Sequence, residues 1–223
     1  MNVRSKRRKI AKLKPPGKIL DVGCGTGEFL REMQRHGWQA TGLETDERAA
    51  AFAGKKYGLK IATRELAAAN FDEPFDVITF WHVLEHVFDP VRTLETARKI
   101  LKGDGVILVA CPNLASRDAH FYGSDWVALD APRHLSHFVP DTMANASTRS
   151  GLMVFRSQPM LFDTFYNCLM SEQIIAARTG NKSLPIPFPW VRALTLGGLS
   201  WTVSSFDSNK GSAILYYLKK RVN

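Results

Sequence analysis

The stretch Ile19-Leu20-Asp21-Val22-Gly23-Cys24-Gly25-Thr26-Gly27 places three glycines at alternate positions directly after a short apolar run. An apolar run of this length is typical of a buried strand, and residues 27–36 continue with the apolar spacing of a helix. A strand that ends in a glycine-rich turn and enters a helix presents backbone N–H groups and the positive end of the helix dipole to a ligand. The stretch therefore predicts a ligand site at the carboxyl end of a first strand.

The residue that follows the third glycine limits the kind of ligand. Dinucleotide-binding loops follow the pattern G-x-G-x-x-G, because the pyrophosphate lies on the amino end of the helix. Gly23 and Gly25 fit that pattern, but Glu28 stands where its last glycine is required. A carboxylate repels a pyrophosphate and tolerates a ligand that carries an amino group and a sulfonium. An NAD-dependent oxidoreductase is therefore the weaker alternative.

The rest of the chain alternates short apolar runs with longer amphipathic ones, which predicts an α/β protein with a mostly parallel sheet. Strands are predicted at residues 18–22, 39–43, 60–62, 75–80, 105–110, 153–157 and 213–219. Helices are predicted at residues 27–36, 47–57, 90–101 and 141–150, with a turn at 102–105. The periodicity lapses over residues 112–140, and a stretch of that length without regular structure predicts an active-site loop.

The composition favours one domain with a packed core. The 223 residues are 45% hydrophobic and 23% charged, which is ordinary for a folded domain and too apolar for a disordered chain. Three cysteines without CxxC spacing, and no apolar leader in front of them, predict a reducing, cytoplasmic setting. No stretch reaches the roughly 18 apolar residues that a membrane span needs.

The formal net charge of +9 is densest in a basic leading segment, residues 1–17. Such a run can hold nucleic acid or an anionic membrane surface. No aromatic residue is interleaved to stack on bases, so we do not expect nucleic acid as a partner, whereas peripheral membrane contact stays open. We expect a solvated leading helix that partly buries Val3, Ile10 and Leu13.

The motif over residues 21–27 resembles the first motif of class I S-adenosylmethionine-dependent methyltransferases. Gly42-Leu43-Glu44 is similar to the end of the second strand in that family. WHVLEHVFDP at 81–90 and PRHLSHF at 132–138 resemble a subgroup that includes the ubiquinone-biosynthesis O-methyltransferases. The resemblance covers residues 18–157 in order. It implies a Rossmann-like, doubly wound, mostly parallel seven-stranded sheet with an antiparallel closing strand and a helical or loop insert near the C-terminus.

The resemblance also implies S-adenosyl-L-methionine as the cofactor. In the family, the counterpart of Asp21 lies near the methionine end of the cofactor and binds the glycine-loop backbone, and the counterpart of Glu44 holds both ribose hydroxyls. Trp81 follows the fourth strand at its ligand-binding end, although it fits the core equally well. The predicted cofactor-binding residues are Asp21, Gly23, Cys24, Gly25, Gly27, Glu44, Thr45, Glu65, Leu66, Trp81 and His82.

Histidines are the candidate catalytic groups. Methyl transfer from a sulfonium mainly needs alignment and exclusion of water, and a hydroxyl acceptor also needs a base. His134 is the preferred base and His82 the second, while either His134 or His137 can instead only hydrogen-bond the neighbouring backbone. His82, Glu85 and His86 have the i, i+3, i+4 spacing of a metal site on a helix. We expect instead that Glu85 and His86 brace the loop by hydrogen bonds, without a metal.

The segment 164–206 joins the two closing strands and matches no family pattern. Its apolar residues are too many to leave in water on a monomer, so we expect a lid over the acceptor site, with a dimer contact or membrane docking as the competing use. These residues are Phe188, Trp190, Val191, Leu194, Leu196, Leu199 and Trp201. Such a lid favours a bulky, partly apolar acceptor.

The sequence thus predicts a single methyltransferase domain over residues 1–223, monomeric or homodimeric. Its expected substrate is a small or medium-sized acceptor, methylated on a hydroxyl oxygen. A non-catalytic module that binds S-adenosylmethionine or a nucleotide is the alternative, and turnover would separate the two.

Overall fold

The structure is a computed structural model that describes residues 2–179 and 187–221. Within these ranges the strands form one seven-stranded sheet in the order β3-β2-β1-β4-β5-β7-β6. They are β1 Lys18–Val22, β2 Gln39–Leu43, β3 Lys60–Ala62, β4 Phe75–Trp81, β5 Leu101–Pro112, β6 Leu152–Pro159 and β7 Ala213–Lys220. Neighbours from β3 to β5 pair in parallel, and β7 runs antiparallel between β5 and β6. The predicted Rossmann-like sheet with an antiparallel closing strand is confirmed.

Eight helices of the described ranges surround this sheet. They are α1 Val3–Ala11, α2 Glu28–Arg35, α3 Glu47–Tyr57, α4 Pro90–Lys99, α5 Arg117–Tyr122, α6 Pro140–Arg149, α7 Leu161–Thr179 and α8 Pro187–Phe206. Local chemistry sets their ends. Asp46 caps α3 by accepting hydrogen bonds from the amides of Arg48 and Ala49, and Gly58 ends it with a φ of 64°.

The two faces of β4 define two hydrophobic cores. Val77 and Trp81 face one side, where Ile10 of α1 and Phe29 of α2 pack against them. Ile78 and Phe80 face the other side, with side chains from α4 and α6. The strand order reverses between β1 and β4, so the carboxyl ends of β1, β2 and β4 lie side by side at the usual ligand-binding position of an open α/β sheet.

Two predicted boundaries are wrong. β5 begins at Leu101, which pairs with Phe75, so residues 102–105 belong to the strand and not to a turn. Residues 112–140 contain α5 and two short 3-10 helices at Gly123–Asp125 and Val127–Leu129. The Nε1 of Trp126 donates a hydrogen bond to buried Asp118 at 2.8 Å. Because a polar side-chain contact helps to hold this segment, the sequence shows no apolar periodicity that would predict its helices.

The basic leading segment forms the expected helix, with Val3 and Leu13 partly buried against the same core as Ile10, but several of its cations are paired and not only solvated. Ile10 is fully buried, and α1 packs along α2. Arg7 Nε lies 3.2 Å from Glu32 Oε1, and Lys9 Nζ donates to Gln158 Oε1 at 2.7 Å. These contacts with Glu32 and Gln158 hold α1 against the rest of the domain.

Helices α7 and α8 connect β6 to β7 along the chain and pack against each other. A Cβ on Gly197 would lie 2.8 Å from the ring of Phe165, so this glycine permits the close approach of the two helices. Arg192 of α8 donates two hydrogen bonds of 2.7 Å to the carboxylate of Glu172 on α7. No helix among the described residues is long and apolar enough to cross a membrane.

Candidate functional site

Four backbone amides of the glycine loop, those of Gly23, Cys24, Gly25 and Gly27, already have hydrogen-bond partners within the protein. Gly23 N and Cys24 N donate to Leu43 O at 2.8 and 3.0 Å, and Gly27 N donates to Cys24 O at 3.1 Å. Gly25 N donates to the carboxylate of Glu44 at 2.7 Å. The loop therefore does not offer these amides to a phosphate, in contrast to what the glycine pattern alone suggested.

The three glycines of this loop serve two purposes. A Cβ on Gly23 would lie 2.5 Å from Val83, and one on Gly27 would lie 2.7 Å from Leu59, so both positions permit close packing inside the protein. Gly25 has a φ of 53°, and a Cβ there would meet no atom within 4 Å. Among the three, Gly25 is the one that leaves room for a ligand.

A first cavity of about 450 Å³ lies beside this loop, at the carboxyl ends of β1 and β2. Its lining includes five of the predicted cofactor-binding residues: Gly23, Glu44, Thr45, Glu65 and Leu66. The Glu44 carboxylate is fixed there, because Gly25 N and Asp46 N donate to its two oxygens at 2.7 and 3.0 Å. The first cavity thus holds a rigid anion at its edge.

Asp21 is buried on β1, directly before Val22 and Gly23 of the first cavity, and does not itself line that cavity. Its Oδ1 accepts a 2.6 Å hydrogen bond from the hydroxyl of Thr79 on β4, a partner that the resemblance did not indicate. Burial raises the pKa of Asp21 to about 7, while the Thr79 hydrogen bond and the charge of Lys6 oppose that shift. The carboxyl is therefore poised to ionise near neutral pH when a cation arrives.

Lys6 was missed in the sequence, where it belonged to the basic run. Its Nζ lies 4.4 Å from the ring centroid of Trp81. Burial lowers the pKa of Lys6, and the charges of Asp21 and Asp163 partly restore it. Lys6 shares the inward face of α1 with Val3 and Ile10, and this spacing is the signal that could have identified it.

Two predicted cofactor-binding residues have side chains in apolar clusters. Trp81 is buried and packs edge-on against Phe29, with ring centroids 5.6 Å apart. Cys24 packs with Leu30 and Ala53. Burial raises the pKa of the Cys24 thiol to about 12, so it is not a nucleophile. Any contact of Cys24 with a ligand has to come from its backbone.

The segment after β4 borders two cavities. Val83 and His86 line the first cavity, whereas His82 and Glu85 line a second cavity of about 530 Å³. His82 has a φ of 59°, an uncommon conformation for a residue other than glycine. This turn sends successive side chains to different cavities.

His82 bridges two carboxylates in the second cavity. Its Nδ1 lies 3.3 Å from Glu85 Oε1, and its Nε2 lies 3.4 Å from Asp163 Oδ2. Partial burial lowers the pKa of His82, but the hydrogen bonds and charges of Asp163 and Glu85 outweigh it and raise the pKa to about 9. His82 is therefore an imidazolium at neutral pH, which does not suit the role of base.

His134 enters the second cavity from the loop over residues 112–140. Its Nδ1 donates to the carbonyl of Ala128 at 2.8 Å, because a carbonyl can only accept. In the neutral ring this bond leaves the lone pair on Nε2, which lies 3.9 Å from Asp130 Oδ2. His137, by contrast, uses Nε2 to donate to Leu129 O at 2.9 Å and is exposed.

Glu85 and His86 brace this loop, as expected. The backbone carbonyl of Glu85 accepts from the amides of Leu135 and Ser136, and His86 Nδ1 donates to Arg133 O at 3.0 Å. Residues 84–86 form a 3-10 helix, so the alternative in which they share an α-helical face with His82 does not occur. The described side chains that could hold a metal are instead Glu85, His86 and His134, whose ligand atoms lie within 4.8 Å of one another.

The insert meets the second cavity through α7 and not through the apolar residues of α8. Phe162, Asp163 and Tyr166, in the first two turns of α7, line this cavity. Trp190, Leu194 and Trp201 of α8 are 51%, 58% and 43% exposed. Val191 and Leu199 are exposed as well, Leu196 packs toward Trp126, and the side chain of Phe188 lies outside the described residues. Among the described residues, the apolar side chains of α8 therefore do not line the second cavity.

Comparisons with known proteins place this geometry in a family. A model of a methyltransferase domain matches residues 2–171. A ubiquinone biosynthesis O-methyltransferase from Caulobacter vibrioides is 37% identical over 102 residues, which are 43% of this chain and 40% of that protein. One from Nitrosospira multiformis is 28% identical over 149 residues, covering 61% and 62% of the two chains. The chain thus matches less than two thirds of the length of these relatives.

Solved structures agree on the fold. A possible histamine N-methyltransferase from Thermotoga maritima superposes with a TM-score of 0.64 at 19% identity, over 98% of this chain and 89% of that one. A structural match at a sequence identity this low shows only that the two proteins share a fold. The family match, which spans most of the chain, favours an enzyme over a non-catalytic binding module. The chain therefore belongs to the methyltransferase domain family and is a class I S-adenosylmethionine-dependent methyltransferase.

Proposed function

We propose that the enzyme transfers the methyl group to a hydroxyl oxygen of a small or medium-sized acceptor held in the second cavity. The observation that carries this proposal is the state of His134. Its Nδ1 donates to Ala128 O at 2.8 Å, so Nε2 is the nitrogen left to accept a proton, and His134 lines the cavity. A hydroxyl must lose its proton as it attacks, whereas a neutral amine needs no base for the attack itself.

The residues of the first cavity fit S-adenosylmethionine. Glu44 offers a fixed carboxylate to the ribose hydroxyls, and Glu65 and Leu66 line the part we assign to the adenine. Asp21 is poised to ionise beside a cationic methionine end, and the loop amides are not left open for a phosphate. When bound, the cofactor supplies the methyl group, and its sulfur keeps the electron pair of the broken carbon–sulfur bond.

The groups of the second cavity then have separate tasks. The acceptor oxygen forms the new bond to the methyl carbon, and its proton passes to His134 Nε2. His82, an imidazolium between Glu85 and Asp163, positions those carboxylates and is not the base, which revises the second catalytic assignment. The first two turns of α7 form one wall of the second cavity and hold the acceptor in place.

The remaining expectations stay proposals. We propose one domain, monomeric or homodimeric, that works in the cytoplasm without nucleic acid. The three cysteines are free and buried, in keeping with a reducing compartment.

The experiment that tests this function is transfer from S-adenosylmethionine with a carbon-13 methyl group. The purified enzyme is incubated with matched pools of small alcohols, phenols, amines and thiols, and the products are identified by NMR and mass spectrometry. We expect a methyl ether, formed in equal amount with S-adenosylhomocysteine. A product methylated only on nitrogen or sulfur would refute hydroxyl transfer while leaving the methyltransferase intact.

A further inference from the structure

The second cavity has an aromatic platform at its mouth. Phe162 and Tyr166 are four residues apart on α7 and so share one face, and both line the cavity. They are 81% and 59% exposed. Large aromatic rings left in water beside a cavity are typical of a surface on which a ring of the ligand stacks.

The walls beyond this platform carry charged groups that contact partners of opposite charge. Asp130 Oδ1 accepts from Nε and Nη2 of Arg133 at 3.1 and 2.7 Å, and His82 lies between Glu85 and Asp163. Each carboxylate oxygen has more than one lone pair, so paired carboxylates can still accept from O–H donors. The wall thus favours a ligand that brings several hydroxyl donors.

An apolar chain on the ligand would suit the charged part of this cavity poorly, although Val127 and Ala128 also line it. It would cover the ion pairs of Asp130 and His82 without offering them hydrogen bonds, and desolvation of charged groups is costly unless new partners replace water. The apolar residues of α8, which suggested a partly apolar acceptor, are exposed elsewhere. The described residues therefore favour a polar ring that also has one apolar face.

We propose that the second cavity binds a pyranoside, a six-membered sugar ring, and that the methyl acceptor is one of its hydroxyls. This inference rests on the proposed hydroxyl transfer. The C–H face of such a ring stacks on Phe162 and Tyr166. Its hydroxyls donate hydrogen bonds to carboxylates of the cavity, such as that of Asp130. His134 Nε2 lies 3.9 Å from Asp130 Oδ2, so a hydroxyl bound to Asp130 is presented to the base.

Binding and turnover are measured separately. Saturation-transfer NMR is recorded on the enzyme with S-adenosylhomocysteine and a panel of methyl pyranosides of different hydroxyl configuration. Turnover is recorded with the same pyranosides, with small catechols and with a prenylated catechol. The variants are Phe162→Ala, Tyr166→Ala and Tyr166→Phe, and Phe52→Ala on α3 is the control for loss of an exposed ring outside both cavities.

We expect saturation transfer to the C–H protons of at least one pyranoside and formation of its methyl ether. Phe162→Ala and Tyr166→Ala should each raise the KM for that sugar at least about tenfold, with unchanged cofactor affinity, whereas Tyr166→Phe and Phe52→Ala change it little. No saturation transfer from any pyranoside, or an ether formed only from a catechol, would refute the sugar while keeping hydroxyl transfer. N- or S-methylation alone would refute the proposed function itself.

Discussion

The two cavities of this enzyme are built in different ways. The first cavity is lined mainly by short segments that follow β1, β2, β3 and β4, at the carboxyl ends of these strands. The second cavity gathers His82, Pro112, His134, Tyr166 and Ala213, from the loop over residues 112–140, from α7 and from the sheet. Sheet topology alone brings the first set together, whereas the second depends on how a long loop and a helix pack. Substitutions in one cavity should therefore leave the function of the other intact.

The largest expected effect is on the glycine loop. Gly25→Val should abolish measurable cofactor binding, because a β-branched residue resists a φ of 53° and its side chain would enter the open space beside the first cavity. Calorimetric titration with S-adenosylhomocysteine measures the loss.

Gly58→Val is the matched control for Gly25→Val. Gly58 also has a positive φ, 64°, and open space around its Cβ, but it ends α3 away from the first cavity. It should cost stability without loss of affinity. Near-normal binding by a folded Gly25→Val variant would mean that this loop does not cradle the cofactor.

The next effect should be confined to the second cavity. His134→Gln keeps an amide N–H for Ala128 O but removes the base, so kcat on a hydroxyl acceptor should fall by about 10² to 10⁴, with unchanged cofactor affinity. His137→Gln is the control, since His137 also donates to a carbonyl of this loop but is exposed. Equal losses in both variants would point to damage of the loop and not to a base.

Sequence patterns identified the first cavity better than the second, for a physical reason. Glu44 was found because it directly follows a strand whose apolar run is visible, whereas Leu66 was assigned through the family resemblance alone. Asp163 was missed because it meets its partner His82 across 81 residues of sequence. Such long-range contacts leave no local pattern.

Hydrophobicity alone also gave a wrong or undecided position for some apolar residues. Trp81 was assigned equally to cofactor and core, and the side of β4 that it shares with Val77 places it in the core. In α8 the small residues Ala193, Gly197 and Ser200 face inward, so the larger ones face water. Hydrophobicity predicts that a surface needs cover, but not which side of a helix receives it.

A smaller loss of cofactor affinity should distinguish Glu44 from the nearby exposed carboxylate of Glu47. Glu44→Gln retains one acceptor for Gly25 N and removes the charge, so cofactor affinity should fall by about 10- to 100-fold. Glu47→Gln, in the first turn of α3 and exposed, is the matched loss of a carboxylate and should change affinity little. Isothermal titration of both variants tests this difference, and equal affinities would remove Glu44 from the site.

The smallest effect concerns the pH dependence of cofactor binding. Burial raises the pKa of Asp21 to about 7, so the folded protein holds a proton there more readily than the unfolded chain does. Its contribution to the free energy of unfolding is therefore present at low pH and is lost as pH rises through about 7. Cofactor binding should show the opposite trend, because a cationic ligand favours the ionised carboxylate and must expel that proton at lower pH.

The affinity of the wild type relative to Asp21→Asn should thus fall by up to about tenfold between about pH 8 and about pH 6. Taking the ratio removes the titration of the cofactor's own amino group, which both proteins share. Calorimetry in buffers of different ionisation enthalpy counts the released proton directly, and we expect it at about pH 6 in the wild type but not in the variant. An affinity ratio that stays constant with pH would mean that Asp21 does not sense the charge of the cofactor. Asp21 would then belong to the structural support next to the first cavity, with Glu44 as the anion at its edge.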